Sequence, residues 1–148
     1  MSSPYPEGGP PSGAPGGKTS LGLDSNLGAM LCYLGNILCC VGVILSIVFL
    51  VTEKENRFVK FHALQNLFLI AAYVVLMILA QILTTIMDVA HLGFISFLVS
   101  WGLWFIIGIV FLLLWILAGI KAYGGQWYKL PFIGDLAWNI AGKENSKS

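Results

Sequence analysis

Apolar and polar positions are segregated along this chain. Three stretches, Ser25 to Thr52, Phe61 to Met87 and Val89 to Ile120, contain no Asp, Glu, Lys or Arg. A hydrocarbon core about 30 Å thick takes roughly 20 helical residues at about 1.5 Å each, so every stretch can cross it with length left for tilt. The pattern predicts an all-α integral membrane protein with three transmembrane helices, over residues 27–51, 61–87 and 92–120. The charged residues between Glu53 and Lys60 number five, and placing them at helix centres would cost on the order of 15 kcal/mol, so they mark an aqueous turn.

Each predicted span has its own texture. In the first, Gly28, Cys32, Gly35, Cys39, Gly42 and Ser46 recur at spacings of 4, 3, 4, 3 and 4, a small-residue seam along one helical face. Lipid tails give helices no hydrophobic reason to associate, so such seams let backbones approach closely, and this face is expected to pack on another helix. Packing also accounts for the cysteines, which behave as small soft apolar groups; no metal or disulfide framework is predicted from three of them in one apolar span. Asn36 is read as an interhelical hydrogen-bond partner.

In the second span His62, Gln65, Asn66, Tyr73, Gln81, Thr84 and Asp88 fall on one broad face at 100° per residue. Polar groups without partners are costly in hydrocarbon, so this face turns toward other helices or water. The third span is bulky and aromatic, and packs against lipid and helix. Gly124 and Gly125 end it, since glycine tolerates the backbone angles a helix terminus needs. From Trp127 to Ala141 the chain is too short and too interrupted by Pro131, Gly134 and Asp135 to cross a bilayer. Its Trp127, Tyr128, Trp138, Lys129 and Lys143 suit a C-terminal interfacial amphipathic segment over 127–141. A Gly- and Pro-rich tail over 1–22 is expected to be disordered, and residues 143–148 form a polar tail.

Charge adds orientation. With three spans, Lys54, Arg57, Lys60, Lys121, Lys129, Lys143 and Lys147 share one side against Lys18 on the other, which predicts the cytoplasmic membrane, N-terminus out and C-terminus in. Anionic lipid at the cytoplasmic face is an expected partner. A net charge of +1 offers no basic stripe for nucleic acid. General acid and base catalysis needs paired titratable groups, and the available ones stand at opposite faces: Glu53, Glu55 and His62 at one, Asp88 and His91 at the other. No catalytic residues, cofactor or metal ligands are predicted, and the chain is expected not to be an enzyme. The candidate functional or partner-contact residues are Glu53, Glu55, Asn56, Arg57, Lys60, His62 and Gln65, a charged turn running into the polar face of the second helix.

Two segments also carry a resemblance: Glu-Lys-Glu-Asn-Arg-Phe-Val-Lys-Phe-His-Ala-Leu-Gln, residues 53–65, and Tyr-Lys-Leu-Pro-Phe-Ile-Gly-Asp, residues 128–135. Together they resemble the Tic-twenty-like family of small membrane proteins, similar to the channel-forming import component of the chloroplast inner-envelope translocon. The resemblance covers the chain after about Leu23 and implies a channel or protein-translocation role. The residues themselves favour a structural or accessory membrane subunit that associates through helix packing, as a homo-oligomer or within a larger complex. A membrane enzyme is the third class.

Overall fold

The computed structural model describes residues 17–38, 40–53 and 56–143. Among these residues the chain forms five helices: α1 (Ser25–Leu34), α2 (Val41–Thr52), α3 (Arg57–Val89), α4 (Gly93–Tyr123) and α5 (Ile133–Lys143). Two of them, α3 with 33 residues and α4 with 31, are long and apolar enough to cross a membrane, and α2 is a shorter apolar helix. At about 1.5 Å per residue α3 is about 50 Å long, well beyond the hydrocarbon thickness.

The first apolar stretch, expected as one helix over 27–51, is instead a helical hairpin. Its halves hold 10 and 12 residues, about 15 and 18 Å, each too short to span. The helix breaks where the backbone can fold back. Gly35 closes α1, the next residues make tight turns (Asn36 N to Tyr33 O, 3.2 Å; Ile37 N to Leu34 O, 3.0 Å), and Cys40 takes a left-handed φ of 61° to start α2. At the base of the hairpin Glu53 Oε1 accepts from Ser20 N at 2.6 Å and from Ser20 Oγ at 2.9 Å. The chain before α1 and the chain after α2 therefore lie at the same end. Lys18 stands with Arg57 and Lys60, not across the molecule from them as a single first span requires.

The tail reading also changes. Residues 1–16 and 144–148 lie outside the described residues, but from Gly17 the chain is placed: Thr19 is buried, Thr19 N donates to Leu23 O at 2.7 Å, and Ser25 Oγ donates to Gly17 O at 2.6 Å.

The turn from α3 to α4 follows the left-handed pattern of many helix ends, with His91 at φ 60° and Leu92 N bonded to Met87 O at 3.1 Å. Gly125, at φ 71°, ends α4 in the same way, with Gln126 N donating to Lys121 O at 3.0 Å. The chain then runs without regular secondary structure over residues 126–130, a leg that turns at Pro131 and Phe132 and returns as α5. Gly134 is needed there, because a Cβ on it would stand 2.7 Å from Lys129 Cα.

The segment expected to lie on the membrane surface is thus a leg and a helix packed on the bundle. Trp127, Leu130, Ala137 and Ala141 are buried, and the Trp127 and Trp138 rings pack on Phe61 with centroids 5.6 and 5.7 Å away. An apolar face on a short helix is expected either way; here Phe58, Phe61 and Ala63 of α3 cover it before lipid does. The buried core gathers at this end, while the far halves of α3 and α4 pair with each other and expose apolar side chains outward.

Candidate functional site

Three polar positions near the start of α3 organise the core. His62, Gln65 and Asn66 are fully buried, about 7 to 14 Å along the helix from Arg57. Backbone that is neither helix nor sheet must still find hydrogen bonds away from water. These side chains supply them at both irregular parts of the fold.

Asn66 serves the hairpin. Its Nδ2 donates to Cys32 O at the end of α1 (2.7 Å) and to Ser46 Oγ in α2 (2.9 Å), and its Oδ1 accepts from Asn36 Nδ2 at 2.7 Å. The Ser46 hydroxyl passes its own proton to Gly42 O at 2.7 Å. One amide thus joins α1, the turn and α2 to α3.

Gln65 and His62 serve the leg after α4. Gln65 Nε2 donates to Tyr128 O at 3.0 Å, and Gln65 Oε1 accepts from Leu130 N at 3.1 Å, so the side chain pairs with the leg as a neighbouring strand would. Its second hydrogen goes to Tyr33 OH at 2.9 Å. A carbonyl only accepts, so the His62 Nε2 contact with Gln126 O at 3.1 Å assigns the proton to Nε2. Nδ1 is then an acceptor for Tyr33 OH at 3.0 Å. The chain Gln65, Tyr33, His62, Gln126 is complete, and the Phe58 and Phe61 rings close on the imidazole at 4.6 and 5.0 Å.

The other sequence candidates sit at the aqueous end of this cluster. Asn56 caps α3, its Oδ1 accepting from Val59 N at 3.3 Å while Nδ2 donates to Ser25 Oγ at 2.6 Å. Glu53 is buried on Ser20, and Arg57 and Lys60 are half-buried beside the first turn. Glu55 lies outside the described residues. Of the six described candidates, Asn56, His62, Gln65 and Glu53 are each engaged in holding the fold.

The small-residue seam is likewise used inside the chain. Gly28 packs against Phe49 and Thr19, Gly35 meets Gly42, Cys32 is buried beside Asn66, and Ser46 joins the Asn66 network; Cys39 lies outside the described residues. The spacing was real, but the chain folds the seam onto itself, so it joins two halves of one hairpin where a straight helix would offer it to a neighbour. The sequence reading missed Tyr33 and the backbone of Gln126, Tyr128 and Leu130. A lone Tyr in an apolar run was the available signal for the first; carbonyls leave none.

The sequence model of the magnetosome magnetite crystal formation protein family matches residues 24–137. A UPF0132 membrane protein of Methanocaldococcus jannaschii is 42% identical over 121 residues, covering 82% of this chain and 92% of its own. A second from the same organism is 34% identical over 118 residues, 80% of this chain and 71% of its own. One from Archaeoglobus fulgidus is 36% identical over 115 residues, 78% and 93%. No solved structure matches. These matches correct the Tic-twenty-like resemblance: the family is a different one. The segments that suggested it are a helix cap followed by the two side chains that bond the leg, and the leg itself. Both are demands of local folding and do not specify a translocon.

Proposed function

The chain belongs to the magnetosome magnetite crystal formation protein family and is an integral membrane protein, and from that premise we propose that it is a non-enzymatic assembly subunit acting through helix contacts in the bilayer. The observation that carries this is a division of surfaces. The polar side chains near the start of α3 are consumed inside the chain, whereas the outer faces of α3 and α4 from Val74 to Leu117 expose Val, Leu, Ile, Phe and Trp. Such a molecule offers partners its membrane-facing helices. Magnetite, named in the family's description, is not part of the proposal: among the described residues no three His, Cys, Asp or Glu side chains are grouped to hold a metal ion.

Charge supports a cytoplasmic membrane with both ends of the described chain inside, in place of the opposite-side arrangement expected from three spans. Lys18, Arg57, Lys60, Lys121 and Lys129 gather at the bundle end, and Asp88 and His91 mark the other. The bundle end also carries Lys129 over the Trp138 ring at 4.6 Å, an arrangement suited to an anionic headgroup layer.

Particle mass after gentle extraction of the tagged chain from its native membrane tests the assembly role. Several copies, or fixed stoichiometric companions, are expected; a lone monomer overturns it. For orientation, single cysteines at Lys18 and Lys129 are expected to be shielded from an impermeant external thiol reagent that labels one at Asp88.

A further inference from the structure

The molecule is wide at one end and narrow at the other. The hydrogen bonds that hold the α1 and α2 hairpin to α3 run from Asn56, whose Nδ2 donates to Ser25 Oγ at 2.6 Å, to Asn66, which meets Asn36 at 2.7 Å. The leg and α5 lie along the same stretch: Leu130 N donates to Gln65, Leu130 packs with Leu69, and the Trp138 ring stands 5.7 Å from Phe61. Beyond Leu69 the buried residues of α3 are Ala80 and Thr84, and Thr84 O accepts from Ser96 Oγ of α4 at 3.0 Å. Among the described residues, five helices make up one end and two make up the other.

The charges place this step in one leaflet. From Lys60 to Asp88, α3 rises about 42 Å, which matches a bilayer of about 40–45 Å with its headgroups, and the midpoint is Val74. In α4 the distance from His91 to Lys121 is about 45 Å, and Ala118 and Gly119, which meet the hairpin, lie well past its middle on the Lys121 side. A shift of one helical turn leaves every tie from Asn56 to Leu69 on the same side of the midplane. The hairpin is dressed for acyl chains and not for water: α2 turns Val41, Ile44, Ile47 and Val51 outward, and Leu38 at the tip is 72% exposed. This surface continues the lipid-facing sides of α3 and α4. Lys129, bonded to Asp135 at 3.2 Å and lying over the Trp138 ring, keeps α5 at the headgroup level of the same leaflet.

We propose that the chain is a wedge in the bilayer, which prefers and promotes membrane that is convex on the bundle side. A helix is about 10–12 Å across, so α1, α2 and α5 add on the order of 300 Å² to one leaflet and nothing to the other. Flat membrane crowds the lipids around the wide end and leaves those around the narrow end too far apart. Bending relieves both when the wide end lies in the stretched outer leaflet, which is why helices inserted on one side of a bilayer respond to its curvature. The partner is the lipid bilayer itself. A single copy suffices, so the inference goes beyond the assembly role and does not depend on it. With the bundle end at the cytoplasmic face, as proposed above, that face is the convex one.

The test uses the full chain with Cys32, Cys39 and Cys40 replaced by Ala and a dye on Lys18→Cys, reconstituted into giant vesicles of phosphatidylcholine and phosphatidylglycerol. A narrow tube is drawn from one vesicle, and the dye density on the tube is compared with that on the parent before and after an impermeant quencher is added outside. Molecules with the bundle end outward, which the quencher silences, are expected to be several-fold denser on the tube, and those facing inward, which stay bright, to be depleted there. Equal densities, or an enrichment that ignores orientation, overturn the wedge. A second measurement reads the hairpin directly: a fluorophore on Leu38→Cys is expected to be quenched by spin-labelled acyl chains and spared by aqueous iodide. Quenching by iodide puts the hairpin outside the bilayer and overturns the wedge as well. Particle mass reads assembly and the tube reads shape, so either proposal can fail alone.

Discussion

Gly35 and Gly42 touch backbone to backbone across the α1 and α2 hairpin: a Cβ built on Gly35 would stand 2.7 Å from Gly42 N, and one on Gly42 would collide with the Cys32 carbonyl and the Asn36 side chain. Neither glycine has a positive φ, so the requirement is space, not conformation. Gly35→Ala and Gly42→Ala are each expected to destabilise the chain by about 1–3 kcal/mol, as overpacked sites do. Gly102→Ala is the control, since nothing stands within 4 Å of the added methyl. It is expected to be neutral or slightly stabilising, by up to about 1 kcal/mol. Thermal unfolding in detergent micelles separates the two outcomes, and equal behaviour of the three variants would contradict the hairpin.

Gln65→Leu removes the partners of Tyr128 O, Leu130 N and Tyr33 OH together. Each buried polar group left unpaired costs about 1–3 kcal/mol, so a loss of about 3 kcal/mol or more is expected. The damage should be local at first. Limited proteolysis is expected to cut between Gln126 and Ile133 in the variant under conditions that spare the wild type. Gln65→Asn is expected to behave nearly as badly, because the shorter amide cannot reach both groups of the leg.

Glu53 anchors the chain before α1 through Ser20 N and Ser20 Oγ. Hydrogen bonds to a charged acceptor contribute about 1.5–3 kcal/mol, and Glu53→Ala is expected to lose about that much. Glu53→Gln keeps an acceptor oxygen and is expected to lose less. Amide hydrogen exchange at Thr19 and Ser20 reads the effect directly: faster exchange in Glu53→Ala, with α3 and α4 unchanged.

The cysteines differ by position. Cys32 is buried against Asn66, whereas Cys40 is exposed at the turn of the hairpin, the part farthest from the aqueous base held by Glu53. In a Cys39→Ala background a membrane-permeant apolar maleimide is expected to modify Cys40 and to spare Cys32 until the chain is unfolded. Modification of Cys32 in the folded chain would show that the hairpin opens.

Long-range order along the chain was legible wherever one physical demand dominated. The absence of charge from Phe61 to Met87 and from Val89 to Ile120 determined two helices long and apolar enough to cross a membrane, because a charge in hydrocarbon costs more than any local preference returns. Gly124 and Gly125 determined the end of α4. The polar face of α3 announced that something must meet His62, Gln65 and Asn66. What met them was decided only in three dimensions. Residues 27–51 are apolar enough to span, and no proline interrupts them; they fold back because two glycines let the backbones close and because Asn66, 20 residues beyond Ser46, supplies the hydrogen bonds that the broken turn would otherwise lack. The leg after α4 is held the same way, by side chains acting on carbonyls and an amide 63 to 65 residues away along the chain, as with His62 and Gln126 at a separation of 64. Backbone groups are identical in every residue and leave no mark in sequence. Composition could therefore state that the polar groups needed partners, and only packing could state which ones they found.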